Sequence, residues 1–324
     1  MYSYTNIQPE NYIQEQNEKN NIKLISKTAG LAVIGYVIIQ NILSAILFVT
    51  PLGSMYYNNA DVQSVITIFL SVLSLLIPFG LCGFYLEKKT GTDVFKFGEP
   101  VNTKLMLTAV PLGFFVCLVA NYLTSVFVTF FDSAGVELTA PEYSVPSDLP
   151  GRIVYVISIA VVPALVEEFA IRGAVLQPLR RYGDKFAILA SAIVFAALHG
   201  NLIQAPFALI AGIVLGYTVC ITNSIWTGVL IHFCNNLYAV ATEFMIADIT
   251  NEDTLNIVYT AVLAVLYLLS IIGSVMFVVV RNKRRLVPSF TVLSECKKMK
   301  HFVLTLPMII AIIIMIYITS QFVN

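Results

Sequence analysis

The sequence predicts an all-α protein, a polytopic bundle of about nine transmembrane helices. Hydrophobic residues make up 58% of the chain and charged residues 12%, and the mean hydropathy is +0.82, well above that of soluble globular chains. Apolar runs long enough to cross a bilayer, about 20 residues each, recur along the whole chain. Lysines and arginines collect between alternate runs, as they do in cytoplasmic loops.

The predicted elements follow one another with short connections. A polar segment of 27 residues comes first, and its composition favours a disordered cytoplasmic N-terminus. This segment is too long for the n-region of a signal peptide, so we expect the first apolar run to be retained as a span. The nine predicted spans are residues 28–50, 63–86, 105–131, 153–179, 186–199, 203–222, 224–246, 256–280 and 302–321. The longest loops, 132–152 and 281–301, have the composition of connectors.

The basic residues also predict the orientation of the chain. With the N-terminus in the cytoplasm and the C-terminus outside, seventeen of the nineteen lysines and arginines fall on the cytoplasmic side. The exceptions are Arg152, at an outer boundary, and Arg172, within a span. We interpret the basic cluster at 281–300 as a topology signal, with a lipid or partner site as the alternative. The chain is therefore predicted to be a multi-pass protein of the cell membrane.

Four parts of the chain can be distinguished, without a fixed-period repeat or a second soluble domain. They are a polar N-terminus (1–27), N-terminal transmembrane helices (28–152), a core that carries the polar residues (153–245) and C-terminal transmembrane helices (246–324). The five cysteines lack metal-type or paired spacing, so we expect neither a disulfide framework nor a zinc finger. No nucleotide-binding loop is present, and we expect no nucleic-acid partner.

The stretch PALVEEFAIRGAV places three charged residues inside a predicted span, where ionisable groups are costly and usually functional. Glu168 and Arg172 are four residues apart and share a helical face, so Arg172 is predicted to neutralise Glu168 and to support the structure. Glu167 points about 100° away from this pair. A carboxylate without a partner in a low-dielectric site suits a general base, and we assign that role to Glu167.

Two further motifs place polar groups in neighbouring spans. FAALHG carries His199, and IHFCNN carries His232 and, on the same helical face, Asn236. From the helical rise, Glu167 and His199 lie about 20 Å from the cytoplasmic ends of their spans, His232 about 12 Å and Asn236 about 18 Å. Because these depths are compatible, we expect the four side chains to line one polar chamber, although a lone histidine on an apolar helix is more often a packing residue.

The order EExxxR, FxxxH and HxxxN resembles the CPBP family of intramembrane proteases, which includes the CAAX prenyl endopeptidases and bacteriocin-processing or immunity proteins. The resemblance covers residues 153–245. It implies that Glu167 and His199 activate the attacking water, and that His232 and Asn236 bind the oxyanion. It also implies a membrane-tethered peptide or protein as substrate, within the lipid bilayer. Peptide hydrolysis needs such a base, acid and set of donors, so the chemistry of the residues agrees.

Three alternatives stay open at this point. Glu167, His199 and His232 match the ligand set of a catalytic zinc ion, and the family has been described in both ways. We favour a site without a metal or other cofactor, because Asn236 suits oxyanion binding better than a ligand shell. A catalytically idle immunity or scaffold protein of the same fold is the second alternative. A transporter is the third, since Pro163 permits a broken helix, but no inverted repeat supports it.

Overall fold

The computed structural model describes residues 9–94, 98, 100, 102–141, 143–282, 284–288 and 290–323. Within these residues the protein is helical, and its one β-bridge pairs Leu138 with Val323 outside any strand. The predicted all-α membrane bundle is confirmed. The first four helices are α1 (Pro9–Phe48), α2 (Pro51–Asn58), α3 (Ala60–Thr90) and α4 (Thr103–Ser133).

The fourth predicted span is one continuous segment in which α-helix and π-helix alternate. Its parts are α5 (Leu149–Val156), π1 (Ile157–Val161), α6 (Val162–Glu168), π2 (Phe169–Leu176) and α7 (Gln177–Arg180). The remaining helices are α8 (Asp184–Leu198), α9 (Ala205–Thr222), α10 (Ile225–Asp248), α11 (Glu252–Arg281), α12 (Glu295–Val303) and α13 (Leu306–Ser320).

The number of spans agrees in outline with the prediction of about nine. Among the described residues, seven helical segments are long and apolar enough to cross a membrane. The pair α12 and α13, bent by 73°, makes an eighth if it counts as one broken span. The predicted span 186–199 corresponds to α8, whose 15 residues rise only about 22 Å. This short helix pairs with α9 as a hairpin.

Contacts between distant segments define the two faces of the bundle. On one face, the Glu18 carboxylate of α1 accepts hydrogen bonds from the backbone N–H groups of Val292 and Leu293, both at 3.0 Å. On the opposite face, the N–H of Thr139 donates to the carbonyl of Phe322 at 3.0 Å. The first turns of α1 and the loop after α11 therefore share one face. The assignment of that face to the cytoplasm remains a prediction from the basic residues.

Two expectations about polar segments are wrong. Residues 9–27 are helical rather than disordered, because Ile22 and Ile25 of α1 are fully buried and Glu18 holds a distant loop; residues 1–8 lie outside the described residues. The connector 281–301 contains the start of α12. There Lys298 is fully buried, and its Nζ donates to the carbonyl of Tyr182 at 2.7 Å and to Glu295 at 2.6 Å.

Small residues bring α10 and α9 close to their neighbours. A Cβ on Gly113 of α4 would collide with the side chain of Ile231 in α10, and one on Gly212 of α9 would stand 3.0 Å from Ala192 of α8. Membrane helices pack closely where small residues let the backbones approach. As a result, α10 lies against α4, α9 and the segment 149–180.

Candidate active site

The site begins with an irregularity in the segment 149–180. In π1 the N–H of Val162 donates to the carbonyl of Ile157, five residues back. An α-helical bond to the carbonyl of Ile159 would come from residue 163, but that residue is proline and has no N–H. The carbonyl of Ile159 instead accepts a hydrogen bond from Nδ2 of Asn236, at 3.1 Å. Pro163 thus frees a backbone acceptor that ties this segment to α10.

Glu168 and Arg172 form a fully buried ion pair. Nε of Arg172 lies 3.1 Å from Oε2 of Glu168, and both side chains have 0% exposure. The Arg172 guanidinium also stands over the ring of Phe195, with Cζ 4.8 Å from the centroid. Two charges in a low-dielectric interior are tolerated only when each has its partner. Removal of either charge alone therefore leaves the other uncompensated.

Glu168 has a second partner that the sequence spacing does not indicate. Its Oε1 lies 3.2 Å from Nδ1 of His232, which comes from α10. The carboxylate is also pressed against Gly228, one turn before His232, since a Cβ there would stand 2.5 Å from Oε2. The buried carboxylate of Glu168 thus contacts both Arg172 of π2 and His232 of α10, and it orients the imidazole of His232.

Glu167, the neighbouring residue, faces a different environment. Its side chain is 24% exposed, and its Oε2 lies 3.9 Å from Nε2 of His232. That distance is too long for a hydrogen bond, so the two groups face a common space without being bonded. Tyr36 of α1 and Tyr143 of the loop before α5 lie within electrostatic range of the same carboxylate. Glu167 is therefore the accessible carboxylate of the pair.

His199 follows the last residue of α8, and its tautomer is defined by one contact. Its Nδ1 lies 2.9 Å from the carbonyl oxygen of Phe195. A carbonyl can only accept, so Nδ1 carries the proton and Nε2 of the neutral ring is the basic nitrogen. Gly200, with φ of 62°, ends the helix in a left-handed conformation, and Nδ2 of Asn201 donates to the carbonyl of His199 at 3.0 Å.

Phe195 connects the two imidazoles. Its ring meets His199 at a centroid distance of 4.8 Å and His232 at 5.9 Å, both edge-on. Among the described residues, no hydrogen bond joins His199 to Glu167. The structure therefore brings Glu167 and His232 together directly, and His199 joins them around the Phe195 ring.

Asn236 is held by neutral amides that the sequence analysis did not single out. Asn235 donates from Nδ2 to Oδ1 of Asn236 at 3.3 Å, and Asn121 of α4 donates from Nδ2 to Oδ1 of Asn235 at 3.1 Å. An inventory restricted to ionisable groups passes over such residues. An asparagine within an apolar run, such as Asn121, is the signal that could have found them.

The described residues do not assemble a metal-binding group. Among them, no three His, Cys, Asp or Glu side chains lie close enough together to hold a metal ion. The zinc alternative requires Glu167, His199 and His232 to converge, but within this set the described structure shows a direct approach only between Glu167 and His232, at 3.9 Å. These positions do not fit a three-ligand zinc site.

Two cavities of the bundle lie away from these side chains. One, of about 460 Å³, lies between the start of α1, Arg181 and Phe290. Another, of about 480 Å³, is an apolar groove between α4, α8 and α9 with Lys185 and Leu286 in its wall. Neither is lined by a motif residue.

By class, a multi-pass helical membrane protein that gathers two carboxylates, two imidazoles and an amide inside its bundle is a candidate intramembrane hydrolase. Residues 149–238 match the family model for Rce1-like type II CAAX prenyl endopeptidases. The resemblance to CPBP and CAAX proteases is confirmed over this segment. The match begins at the first residue of α5 and contains all seven motif residues. Comparisons with curated proteins and with solved structures found no match.

Proposed function

We propose that the protein is an intramembrane endopeptidase that hydrolyses peptide bonds of membrane-tethered peptides or proteins, with a water activated by Glu167 and His199. The observation that carries this proposal is the division of the two glutamates. Glu168 is buried between Arg172 and His232, whereas Glu167 is partly exposed and faces the free nitrogen of His232 at 3.9 Å. This partial exposure supports Glu167, rather than Glu168, as the carboxylate that meets water and substrate.

The first step needs a base. Glu167 takes a proton from water while the oxygen attacks the peptide carbonyl, and the basic Nε2 of His199 shares that proton. The same proton then passes to the leaving amine, which completes hydrolysis without a net change in the enzyme. The i,i+4 contact of His199 with Phe195 holds this nitrogen in place.

The second requirement is a set of donors for the oxyanion, which we assign to His232 and Asn236. Since Nδ1–H of His232 is used by Glu168, donation from Nε2 requires a ring protonated at both nitrogens. The carboxylates of Glu167 and Glu168, on its two sides, supply the opposite charge for that cation. A single oxyanion donor is typically worth about 100- to 1,000-fold in kcat.

The test is Glu167→Gln in purified, detergent-solubilised protein. Two fluorogenic peptides serve as probes, one with a prenylated CAAX end and one without the prenyl group. We expect kcat to fall by about 100- to 10,000-fold on a probe that the wild type cleaves, with an unchanged melting temperature. Glu252→Gln, an exposed change in the first turn of α11, is the matched control and should remain active.

Two outcomes would contradict the proposal. Near-normal cleavage by Glu167→Gln, together with a stable but inactive Glu168→Gln, would show that the roles of the two carboxylates are reversed. A wild-type protein that binds the probes without cleaving them would support the idle scaffold instead.

Metal dependence is tested separately, by metal analysis and assay of chelator-treated protein. We expect cleavage to persist after chelation, because Glu167, His199 and His232 do not converge as ligands in the described structure. Loss of activity with the metal, followed by its return on addition of zinc, would overturn the metal-free mechanism.

A further inference from the structure

The amide of Asn236 has only one possible orientation, and a backbone group determines it. The carbonyl of Ile159, freed by Pro163, can accept but cannot donate, so Asn236 must present Nδ2 to it. Oδ1 of Asn236 therefore points the other way, toward Asn235. Nδ2 carries two hydrogens, and the bond to Ile159 uses one of them.

The same reasoning extends outward to α4. Since Oδ1 of Asn236 can only accept, Asn235 presents Nδ2 to it at 3.3 Å. Oδ1 of Asn235 then faces α4 and accepts from Nδ2 of Asn121 at 3.1 Å. Asn235 is buried, with 7% exposure. Three side-chain amides thus form a directed chain of hydrogen bonds that ends on the carbonyl of Ile159.

We propose that Asn235 and Asn121 are positioning residues, which hold the Asn236 amide so that its second Nδ2 hydrogen remains available to the oxyanion. This inference rests on the proposed function of Asn236. It also gives α4, which lies outside the matched segment 149–238, a part in the reaction. Without these hydrogen bonds the Ile159 carbonyl alone holds the Asn236 side chain, so its second Nδ2 hydrogen is less firmly directed at the developing negative charge.

The hydrogen bonds between the three amides predict a specific effect on kcat and KM. The oxyanion exists only during the reaction, so a loosened donor lowers kcat and leaves KM nearly unchanged. Asn121→Leu should lower kcat by about threefold to tenfold, the range expected for one hydrogen bond, and Asn235→Leu by at least as much. Because both residues act through Asn236, neither change should lower kcat further in the Asn236→Ala background.

The matched control is Thr124→Val, also on α4. The Thr124 hydroxyl is buried, and its oxygen has no hydrogen-bond partner in the part of the chain that the structure describes. The change keeps the shape of the side chain. It removes a polar atom that takes no part in the hydrogen bonds between Asn121, Asn235 and Asn236, so kcat should be unaltered. Each variant is assayed with the two probe peptides, and its melting temperature is measured in detergent.

An equal fall in kcat caused by Asn121→Leu in the wild-type and Asn236→Ala backgrounds would overturn the inference, because it would reveal a general structural role. If the wild type cleaves neither probe, or Glu167→Gln is fully active, the proposed function fails instead. In that case melting temperatures test whether the three amides are linked by hydrogen bonds. Asn121→Leu should lower the melting temperature of the wild type more than it lowers the melting temperature of Asn236→Ala. Equal shifts would show that the three amides are not linked.

Discussion

Two spans of nearly equal length, the segment 149–180 and α11, are built in opposite ways. They contain 32 and 30 residues. α11 is one uninterrupted α-helix, and it buries only three of its residues. The segment 149–180 changes between α- and π-helix, and π2 alone buries seven of its eight residues.

The difference shows that a membrane helix with buried charged groups and an irregular backbone depends on neighbouring helices for its hydrogen bonds and counter-charges. A regular helix such as α11 satisfies its own backbone and can present most of its surface to lipid. The segment 149–180 leaves the carbonyl of Ile159 without an α-helical donor and buries Glu168 and Arg172. Partners on α8 and α10 must then complete it. Its stability is therefore shared with other helices, and changes there should couple stability to activity.

The largest expected effect that sharpens this comparison comes from Glu168→Gln. Arg172 then lacks a counter-charge, which should lower the free energy of unfolding by about 3–5 kcal/mol. Cleavage should also fall, because Glu168 holds Nδ1 of His232 at 3.2 Å. In Glu168→Gln with Arg172→Met, stability should return in part while activity stays low. Thermal melts and the cleavage assay measure both, and a double variant that recovers both would show that Glu168 only neutralises Arg172.

A smaller effect is expected from overpacking at two glycines, one in α10 that packs against the segment 149–180 and one within α11. Gly228→Ala places a methyl group against the Glu168 carboxylate, while Gly273→Ala in α11 places one against Pro111. Both should destabilise by about 1–3 kcal/mol. Only Gly228→Ala should also lower kcat, by about tenfold, because it displaces a group that orients His232. Gly80→Ala, with nothing within 4 Å of the added carbon, is the neutral control. Equal kcat in Gly228→Ala and Gly273→Ala would contradict the proposed difference between the segment 149–180 and α11.

The smallest effect is expected when the irregular segment is made more like α11. Pro163→Ala restores an N–H that can donate to the carbonyl of Ile159, in competition with Nδ2 of Asn236. We expect an equal or higher melting temperature and a kcat lower by about twofold to tenfold. Pro78→Ala, which removes a proline inside α3, is the control for helix straightening alone. An unchanged kcat for Pro163→Ala would mean that the freed carbonyl does not matter for the reaction.

Much of the fold could be predicted from the sequence, because the bilayer demands apolar runs and those runs are local. The contact between Glu168 and Arg172 is local too, since four residues separate them on one helix. Residues 9–27 are the counter-example. Their polar composition is typical of disorder, but α1 extends through them because Ile22 and Ile25 pack into the core and Glu18 binds a loop 274 residues away.

The rest of the site depends on distant contacts. His232 is 64 residues from Glu168, and no spacing rule connects them. Pro163 frees the carbonyl of Ile159, but its partner Asn236 comes from α10, and that packing could not be inferred from the span alone. Asn121 and Asn235 escape notice because a neutral amide in a span costs less than a charge and does not mark itself as functional.

The length of α8 has a consequence for the surrounding lipid. α8 and α9 have 15 and 18 residues and rise about 22 and 27 Å, against about 30 Å for the hydrocarbon core of a bilayer. Leu189 and Leu209 of these helices are exposed, so the hairpin presents a short hydrophobic height on one side of the protein. Lipid beside a short helix accommodates the mismatch by thinning. His199 lies at the end of α8, so the proposed peptide substrate would cross less hydrocarbon on this side than beside α11.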